Sequence, residues 1–146
     1  MLVRDILESK PRDIISVHQD VLVKEAMELL ISNKISCLPI MDDSDKLIGV
    51  VSDKDIFRLI YSDQAKFSEV PIKEIMSTDL IVGLVDDEVD YIAGVMTENR
   101  IRHIPIVEGE KLIGLVSQGD VVKKQMKSIQ VENRYLRMYI DGTHSS

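Results

Sequence analysis

The chain contains two copies of one sequence unit. The segment ISCLPI at residues 35–40 returns as IRHIPI at residues 101–106, and KLIGVVSDKD at residues 46–55 returns as KLIGLVSQGD at residues 111–120. The offset between copies changes from 66 to 65 in the intervening turn, where a deletion costs little. Because each copy needs the other to bury its apolar face, the repeat predicts a pseudo-symmetric module with two equivalent clefts.

Length and composition indicate what kind of protein this chain forms. A chain of 146 residues, 45% hydrophobic and 29% charged, predicts one compact domain or two half-domains that share a core. No apolar run approaches the roughly 20 residues of a membrane span, and the first ten residues lack the apolar core of a signal peptide. The single cysteine, Cys37, excludes an internal disulfide and fits a reducing cytosol. We expect a cytoplasmic protein with no membrane partner.

The charge argues against nucleic-acid partners. A formal net charge of -7 would repel duplex DNA or an anionic membrane. The chain has no tryptophan and few aromatic residues, so stacking platforms for single strands are missing as well. Local basic clusters at residues 100–102 and 123–127 are interpreted as solvated helix faces.

Each copy predicts the same order of elements. An apolar stretch at residues 14–17 or 80–82 precedes an amphipathic helix with apolar positions at i, i+3, i+4 and i+7. A strand, a turn, a return strand and a second helix follow, which gives β-α-β-β-α. We therefore predict an α/β (α+β) fold of two repeats packed as a pseudo-twofold pair. The apolar helix positions are Val23, Ala26, Met27 and Leu30 in the first copy and Val89, Ile92, Ala93 and Met96 in the second.

The organisation along the chain follows from these copies. Residues 3–7 match residues 72–76, and both segments are predicted to be short lead-in helices. A long helix from about residue 123 to residue 140 carries an apolar stripe, which a second copy of the chain would cover, so we expect a homodimer. The predicted boundaries are residues 1–62 for the first repeat with its lead-in helix, 63–71 for the linker, 72–126 for the second repeat and 127–146 for the C-terminal helix and tail.

Each return strand runs into the motif Gly-x-x-Ser-x-x-Asp. Serine followed three residues later by an acid resembles a capping box, which stabilises a helix by about 0.5–2 kcal/mol without any ligand. The same atoms suit a nucleotide, because a helix N-terminus offers N–H groups to phosphate and a carboxylate accepts hydrogen bonds from a ribose diol. The residues alone support the two interpretations equally. The motif residues are Gly49, Ser52 and Asp55 in the first copy and Gly114, Ser117 and Asp120 in the second.

The proline-containing strands, the glycine-serine-aspartate motifs and their tandem recurrence resemble a pair of CBS domains, the Bateman module, from about residue 3 to residue 126. Residues 10–17 and 102–107 are similar to segments of small stand-alone CBS-pair proteins. The resemblance implies adenosine-containing regulatory ligands such as AMP, ADP, ATP, S-adenosylmethionine or NAD(H) in the clefts between repeats. It also implies a non-enzymatic sensor, without an obligatory cofactor, whose ligand changes its affinity for a partner protein.

The resemblance also assigns roles to residues of the two clefts. Asp55 and Asp120 would hold ribose hydroxyls, and Ser52 and Ser117 would face ribose or phosphate. Arg102 and His103, which come shortly before Pro105, would contact phosphate. The adenine would be bordered by Ile15 and Val17 in one apolar stretch and by Ile81 and Gly83 in the other.

The two copies differ at the phosphate position. Ser36 and Cys37 stand in the first repeat where the second has Arg102 and His103. Because neither carries a cation at neutral pH, the cleft lined by the second motif is predicted to bind phosphate better. The other cleft is expected to hold no ligand or a less charged one.

Other functions have weaker support. The alternative function is a constitutive assembly module, in which the serine-aspartate motif is only a helix cap. No Ser-His-Asp order and no phosphate loop appears, so no catalytic residue is predicted. His18, His103 and His144 share no metal-ligand spacing, so no metal site is predicted. Cys37 lies in an apolar strand and is interpreted as a buried small hydrophobe.

Overall fold

The computed structural model describes residues 1–11 and 13–126. It confirms the predicted fold class, two repeats of mixed α/β structure. The long helix predicted from residue 123 lies, beyond Met126, outside the described residues. The first half contains α1 (Val3–Glu8), β1 (Val17–His18), α2 (Val23–Asn33), β2 (Cys37–Met41), β3 (Leu47–Ser52) and α3 (Asp53–Ser62). The second contains a 3-10 helix (Ile72–Glu74), α4 (Val89–Asn99), β4 (His103–Glu108), β5 (Lys111–Ser117) and α5 (Gln118–Met126).

The strands form two small sheets. In the first, β1 runs parallel to β2, and β2 pairs antiparallel with β3; in the second, β4 pairs antiparallel with β5. The registers match between copies, since Cys37 lies opposite Ser52 and His103 lies opposite Ser117. The repeated sequence therefore folds into repeated hairpins, and each hairpin delivers its serine to the start of the following helix.

The first strand predicted for the second repeat is reduced to one bridge, between Gly83 and Ile106. Its ladder stops because the chain turns directly after Gly83: the Leu84 N–H donates to the Asp87 carboxylate at 2.8 Å instead of to β4. A Cβ at Gly83 would lie 2.9 Å from Ile106 Cδ1, so any larger residue requires the end of this buried side chain to shift. The strand expected at residues 80–82 was therefore a wrong prediction.

The long helices bury the predicted stripes. In α2 the side chains of Val23, Ala26 and Leu30 are buried, and in α4 those of Val89, Ile92 and Met96 are buried. The 3.6-residue period of each helix places these side chains on the face that packs against its own hairpin core.

The lead-in segments exchange cores. Val3 and Ile6 of α1 belong to the apolar cluster of the second repeat, whereas Ile72 of the 3-10 helix belongs to that of the first. The backbone follows the same exchange: the Val3 N–H donates to Asp87 O at 2.9 Å, and the Ile72 N–H donates to Val21 O at 2.7 Å. The predicted boundaries separate sequence copies, but each core needs a segment from outside its own copy.

A smaller apolar cluster joins the repeats to each other. It contains Leu47 from the first hairpin and Val107 and Leu112 from the second. Because both hairpins contribute to it, the repeats meet along their strands, and the space beside these strands is where a cleft can form. No helix within the described residues is long and apolar enough to cross a membrane.

Candidate ligand cleft

A cleft of about 1020 Å³ lies between the repeats. Three parts of the chain form its walls: α1 with the segment that follows it, residues 34–37 at the start of β2, and the β4–β5 hairpin. Of the predicted site residues, Ile15, His103 and Ser117 line it. Leu7, Ile14, Ile35, Ile113 and Leu115 add apolar surface. A concave, largely apolar cleft with a few convergent polar groups is typical of small-molecule sites.

Asp120 does not line this cleft itself but contacts two residues that do, Ser117 and Lys10. Its Oδ2 accepts hydrogen bonds from the Ser117 N–H at 2.9 Å and from Lys10 Nζ at 2.8 Å. Lys10 Nζ also donates to Leu115 O at 2.8 Å, and Lys10 itself lines the cleft. Burial alone would raise the pKa of Asp120, but the hydrogen bonds from Lys10 and Ser117 outweigh burial and hold it below its usual value. Asp120 is therefore an anion at neutral pH.

Asp55 has the same capping geometry without the lysine. Its Oδ2 accepts from the Ser52 N–H at 2.8 Å and from Ser52 Oγ at 3.1 Å, while Oδ1 lies 3.6 Å from Arg58. In the second copy the Asp120 N–H donates to Ser117 Oγ at 3.1 Å. Both motifs thus cap the helix that follows them, as the capping interpretation predicts, and a carboxylate that caps a helix keeps lone pairs for further donors.

The two clefts are unequal, although the duplication predicts equivalent ones. Ten positions separate Leu7 from Val17, but only seven separate their counterparts Met76 and Gly83. The shorter segment runs directly along β3, where Val50 and Ser77 exchange backbone hydrogen bonds of 3.0 and 2.8 Å. For residues 8–11 and 13–16 of the longer segment no such backbone pairing with β5 is found, and several of these residues line the cleft instead. Three extra residues therefore leave room beside the second motif, while backbone covers the equivalent edge beside the first.

The close packing of the shorter segment extends to Gly49. A Cβ at this position would lie 2.5 Å from Met76 Sδ and 3.0 Å from Ser77 O. Glycine before the serine-aspartate motif therefore serves chain packing in the first repeat. In the second repeat, a Cβ at the equivalent Gly114 would lie 2.6 Å from Leu7 Cδ2.

Arg102 and His103 lie where the copies meet. His103 Nε2 is 3.4 Å from Ser36 Oγ, and Ser36 is the residue of the first repeat that corresponds to Arg102. Burial lowers the pKa of His103, and the cations Arg102 and Lys10 lower it further, so the imidazole is neutral at pH 7. Arg102 does not line the large cleft; its guanidinium lies 3.8 Å from Asp53.

The remaining predicted residues are not brought to the large cleft. Val17 is buried in the core of the first repeat, and Gly83 is buried against β4. Ile81, Ser52 and Asp55 do not line this cleft either. Lys10 was missed by sequence reasoning. The signal that could have pointed to its segment is the three-residue difference in spacing after the lead-in helices.

The cysteine and histidine interpretations have different outcomes. Cys37 is buried as predicted, and burial raises the pKa of its thiol to about 12, so the thiol stays protonated. His18 lies within reach of Asp20 and Asp43, a grouping that could hold a metal ion and that the sequence did not predict. All three side chains are substantially exposed, and Lys73 already pairs with Asp20 at 2.8 Å.

Comparison with known proteins decides the family. The CBS domain model matches residues 3–62 and 72–127. The chain belongs to the CBS-domain family. The prediction of a tandem CBS pair is thereby confirmed, and the two matches coincide with the two sequence copies.

The relatives and solved structures that resemble this chain include an enzyme of which it covers only a part and CBS-domain proteins crystallised with adenosyl compounds. It is 31% identical over 121 residues to the L-aspartate semialdehyde sulfurtransferase of Methanocaldococcus jannaschii, with 82% of this chain but only 22% of the enzyme covered. The CBS pair of MJ0100, crystallised with 5-methylthioadenosine and S-adenosyl-L-methionine, superposes with a TM-score of 0.77 at 31% identity, covering 88% of this chain and 98% of that one. CBSX2 in complex with AMP has a TM-score of 0.75 at 29% identity, covering 86% and 96%.

Proposed function

We propose that this CBS pair is a non-enzymatic regulatory module that binds one adenosine-containing ligand in the cleft between its repeats. The observation that carries the proposal is the cleft of about 1020 Å³ with the anionic Asp120 bonded to its lining residues Ser117 and Lys10. The complexes of MJ0100 with S-adenosylmethionine and methylthioadenosine and of CBSX2 with AMP support adenosyl compounds as the ligand class.

In the proposed complex each predicted residue of this cleft has a role. Asp120 accepts hydrogen bonds from the ribose diol, and Ser117 faces the ribose or phosphate. Ile15 borders the adenine, with Ile113 and Leu115 adding apolar surface. His103 faces the phosphate. A ligand beside Asp55 would have to displace Ser77 from β3, which supports one ligand per chain rather than two.

Regulation requires that the ligand bind two arrangements of the repeats with different affinity. A coupling of about 1–3 kcal/mol is typical of such switches. Because the cleft wall contains residues of both repeats, a ligand contacts both, and its binding energy depends on their relative position. We propose that this change alters affinity for a partner protein in the cytoplasm, in response to the supply of the adenosyl ligand.

A ligand panel tests the proposal. The melting temperature of the purified protein is measured with AMP, ADP, ATP, S-adenosylmethionine, NAD and NADH, after mass spectrometry has shown that no nucleotide copurifies. A ligand at about 100 times its dissociation constant should stabilise by roughly 2.7 kcal/mol, which is several degrees for a chain of this size. If no compound raises the melting temperature, the proposed function is wrong. Nucleotide recovered unchanged after long incubation would support the non-enzymatic part.

The titration of His103 predicts a pH dependence. Its pKa is lowered by burial and by Arg102 and Lys10, against the opposing effects of Asp120 and Asp53. A bound phosphate favours the imidazolium, so affinity for AMP should rise about threefold relative to His103→Gln as the pH falls from 7.5 to 6, because in that variant only the phosphate of AMP titrates. Calorimetric titration at both pH values measures the change. The rise should be absent for adenosine, and an equal change with pH in His103→Gln would show that His103 is not responsible.

The second candidate is a constitutive assembly module. It is favoured by the completed capping boxes, which explain the serine-aspartate motifs without a ligand. It is also favoured by a groove between α2 and α3 beside which Ile31 and Phe57 are 69% and 74% exposed. Such apolar exposure supports the proposed homodimer. A dimer by light scattering, together with a ligand panel without any response, would favour this function over the sensor.

A further inference from the structure

We propose that Lys10 sets the charge preference of the nucleotide cleft. In the structure its ammonium holds the carboxylate that would receive the ribose, and a phosphorylated ligand would take over that ammonium as its own counterion. The inference rests on the proposed function, which it deepens by naming the residue that distinguishes phosphorylated from uncharged nucleosides.

The geometry makes Lys10 a competitor for Asp120. Lys10 Nζ lies 2.8 Å from Asp120 Oδ2 and 2.8 Å from Leu115 O, so two of its three donors are used. The two side chains are only 33% and 21% exposed, so solvent screens this ion pair less than a surface pair. A ribose diol that donates to Asp120 must share the carboxylate with this ammonium or displace it.

What happens to the displaced charge depends on the ligand. Neutral adenosine offers no anion, so a displaced ammonium would remain uncompensated in a partly buried place, which is costly. The phosphate of AMP provides a new anion, and the flexible four-carbon stem of lysine allows the ammonium to follow it. Lys10 therefore disfavours uncharged nucleosides and favours phosphorylated ones.

Within the part of the chain that the structure describes, most other cations near the cleft already have a partner or are neutral. Arg4 pairs with Asp86, Arg102 lies near Asp53, and His103 is neutral at pH 7. Among the cations of residues 1–11 and 13–126, Lys34 also lines the cleft and is the remaining candidate for phosphate recognition. The corresponding carboxylate in the first repeat, Asp55, has Arg58 of its own helix 3.6 Å away instead of a hydrogen-bonded lysine, so the close lysine contact distinguishes the second motif from the first.

The test compares Lys10→Met with Lys73→Met. Lys73 also forms a 2.8 Å ion pair, with Asp20, but lies outside the cleft, so both variants remove one charge and one such contact. Dissociation constants for AMP and adenosine are measured by calorimetry at pH 7.5. In Lys10→Met we expect tighter adenosine binding and weaker AMP binding, so that the preference for AMP falls about tenfold, the size of one charge-assisted hydrogen bond. Lys73→Met should keep the wild-type preference, and Lys10→Arg should largely restore it.

Each outcome decides between the two proposals. If the wild-type protein binds AMP and Lys10→Met keeps the same preference, the role of Lys10 is wrong and the proposed function stands. If Lys34→Met lowers the preference and Lys10→Met does not, phosphate selectivity belongs to Lys34. If the wild-type protein binds neither compound nor any other adenosyl ligand, both proposals are overturned. Melting temperatures of all variants exclude misfolding as the cause.

Discussion

Replacing Ile72 with alanine should destabilise the first repeat, although Ile72 comes ten residues after the end of α3. Its side chain is fully buried in the apolar cluster that contains Val23, Leu38 and Val51. Removing a buried isoleucine to alanine costs about 2–5 kcal/mol, because apolar contacts are lost and a cavity remains. Urea unfolding of the variant and the wild-type protein measures the loss in the free energy of unfolding.

The position of the damage tests the exchange of lead-in segments. Hydrogen exchange should accelerate first in α2 and β2 of the Ile72→Ala variant, while α4 keeps its protection. Val3→Ala provides the matched control, since Val3 is equally buried but belongs to the cluster of the second repeat. It should loosen α4 first. If both variants loosen the repeat that follows them in the sequence, the lead-in segments do not stabilise the opposite cores.

The repeated elements could be predicted from the sequence because their signals are local. The stripe of α2 and its copy in α4 follows from the helical period, and the serine-aspartate motifs mark helix starts within four residues. The lead-in helices were predicted as well, but not the cores they join. The apolar side chains of Val3 and Ile6 fit either repeat, so only the three-dimensional path of the chain decides between them.

The difference between the two clefts also depends on the three-dimensional path of the chain. The three-residue difference between the segments after Leu7 and Met76 can be read from the sequence. Its consequence, the pairing of Ser77 with Val50, depends on how closely the shorter segment crosses β3. The contact of Lys10 with Asp120 joins residues 110 positions apart, and no periodic pattern indicates such a pair. Local motifs therefore predicted where the carboxylates lie but not what holds them.

Replacing Asp120 with asparagine should abolish most of the affinity for adenosyl ligands. The side chain keeps its shape but loses the negative charge that strengthens hydrogen bonds from a ribose diol. Hydrogen bonds to charged groups contribute about 1.5–3 kcal/mol each, so the dissociation constant should rise about a hundredfold. Calorimetry with the ligand found in the panel measures this change, and the melting temperature of the free protein measures the separate loss of the helix cap.

Asp55→Asn is the matched control for this variant. It changes the equivalent capping box in the other repeat and removes the same charge. It should leave affinity within about twofold, because Asp55 is bonded to Ser52, which does not line the large cleft, whereas Asp120 is bonded to the lining residues Lys10 and Ser117. If both motifs are only caps, the two variants should lose similar stability, about 0.5–2 kcal/mol, and neither should alter ligand binding. If Asp55→Asn abolishes binding and Asp120→Asn does not, the ligand occupies the cleft beside the first motif.

Acid distinguishes the structural part of the Asp120 effect from the ligand part. Lys10 and Ser117 hold the pKa of Asp120 below its usual value, so the carboxylate stabilises the folded protein above the unfolded pKa of about 3.9. This stabilisation is lost as the pH falls through the lower folded pKa. The difference in melting temperature between the wild-type protein and Asp120→Asn should therefore be largest near neutral pH and shrink below about pH 4. A difference that does not change with pH would mean that the charge of Asp120, and with it the ion pair to Lys10, does not stabilise the fold.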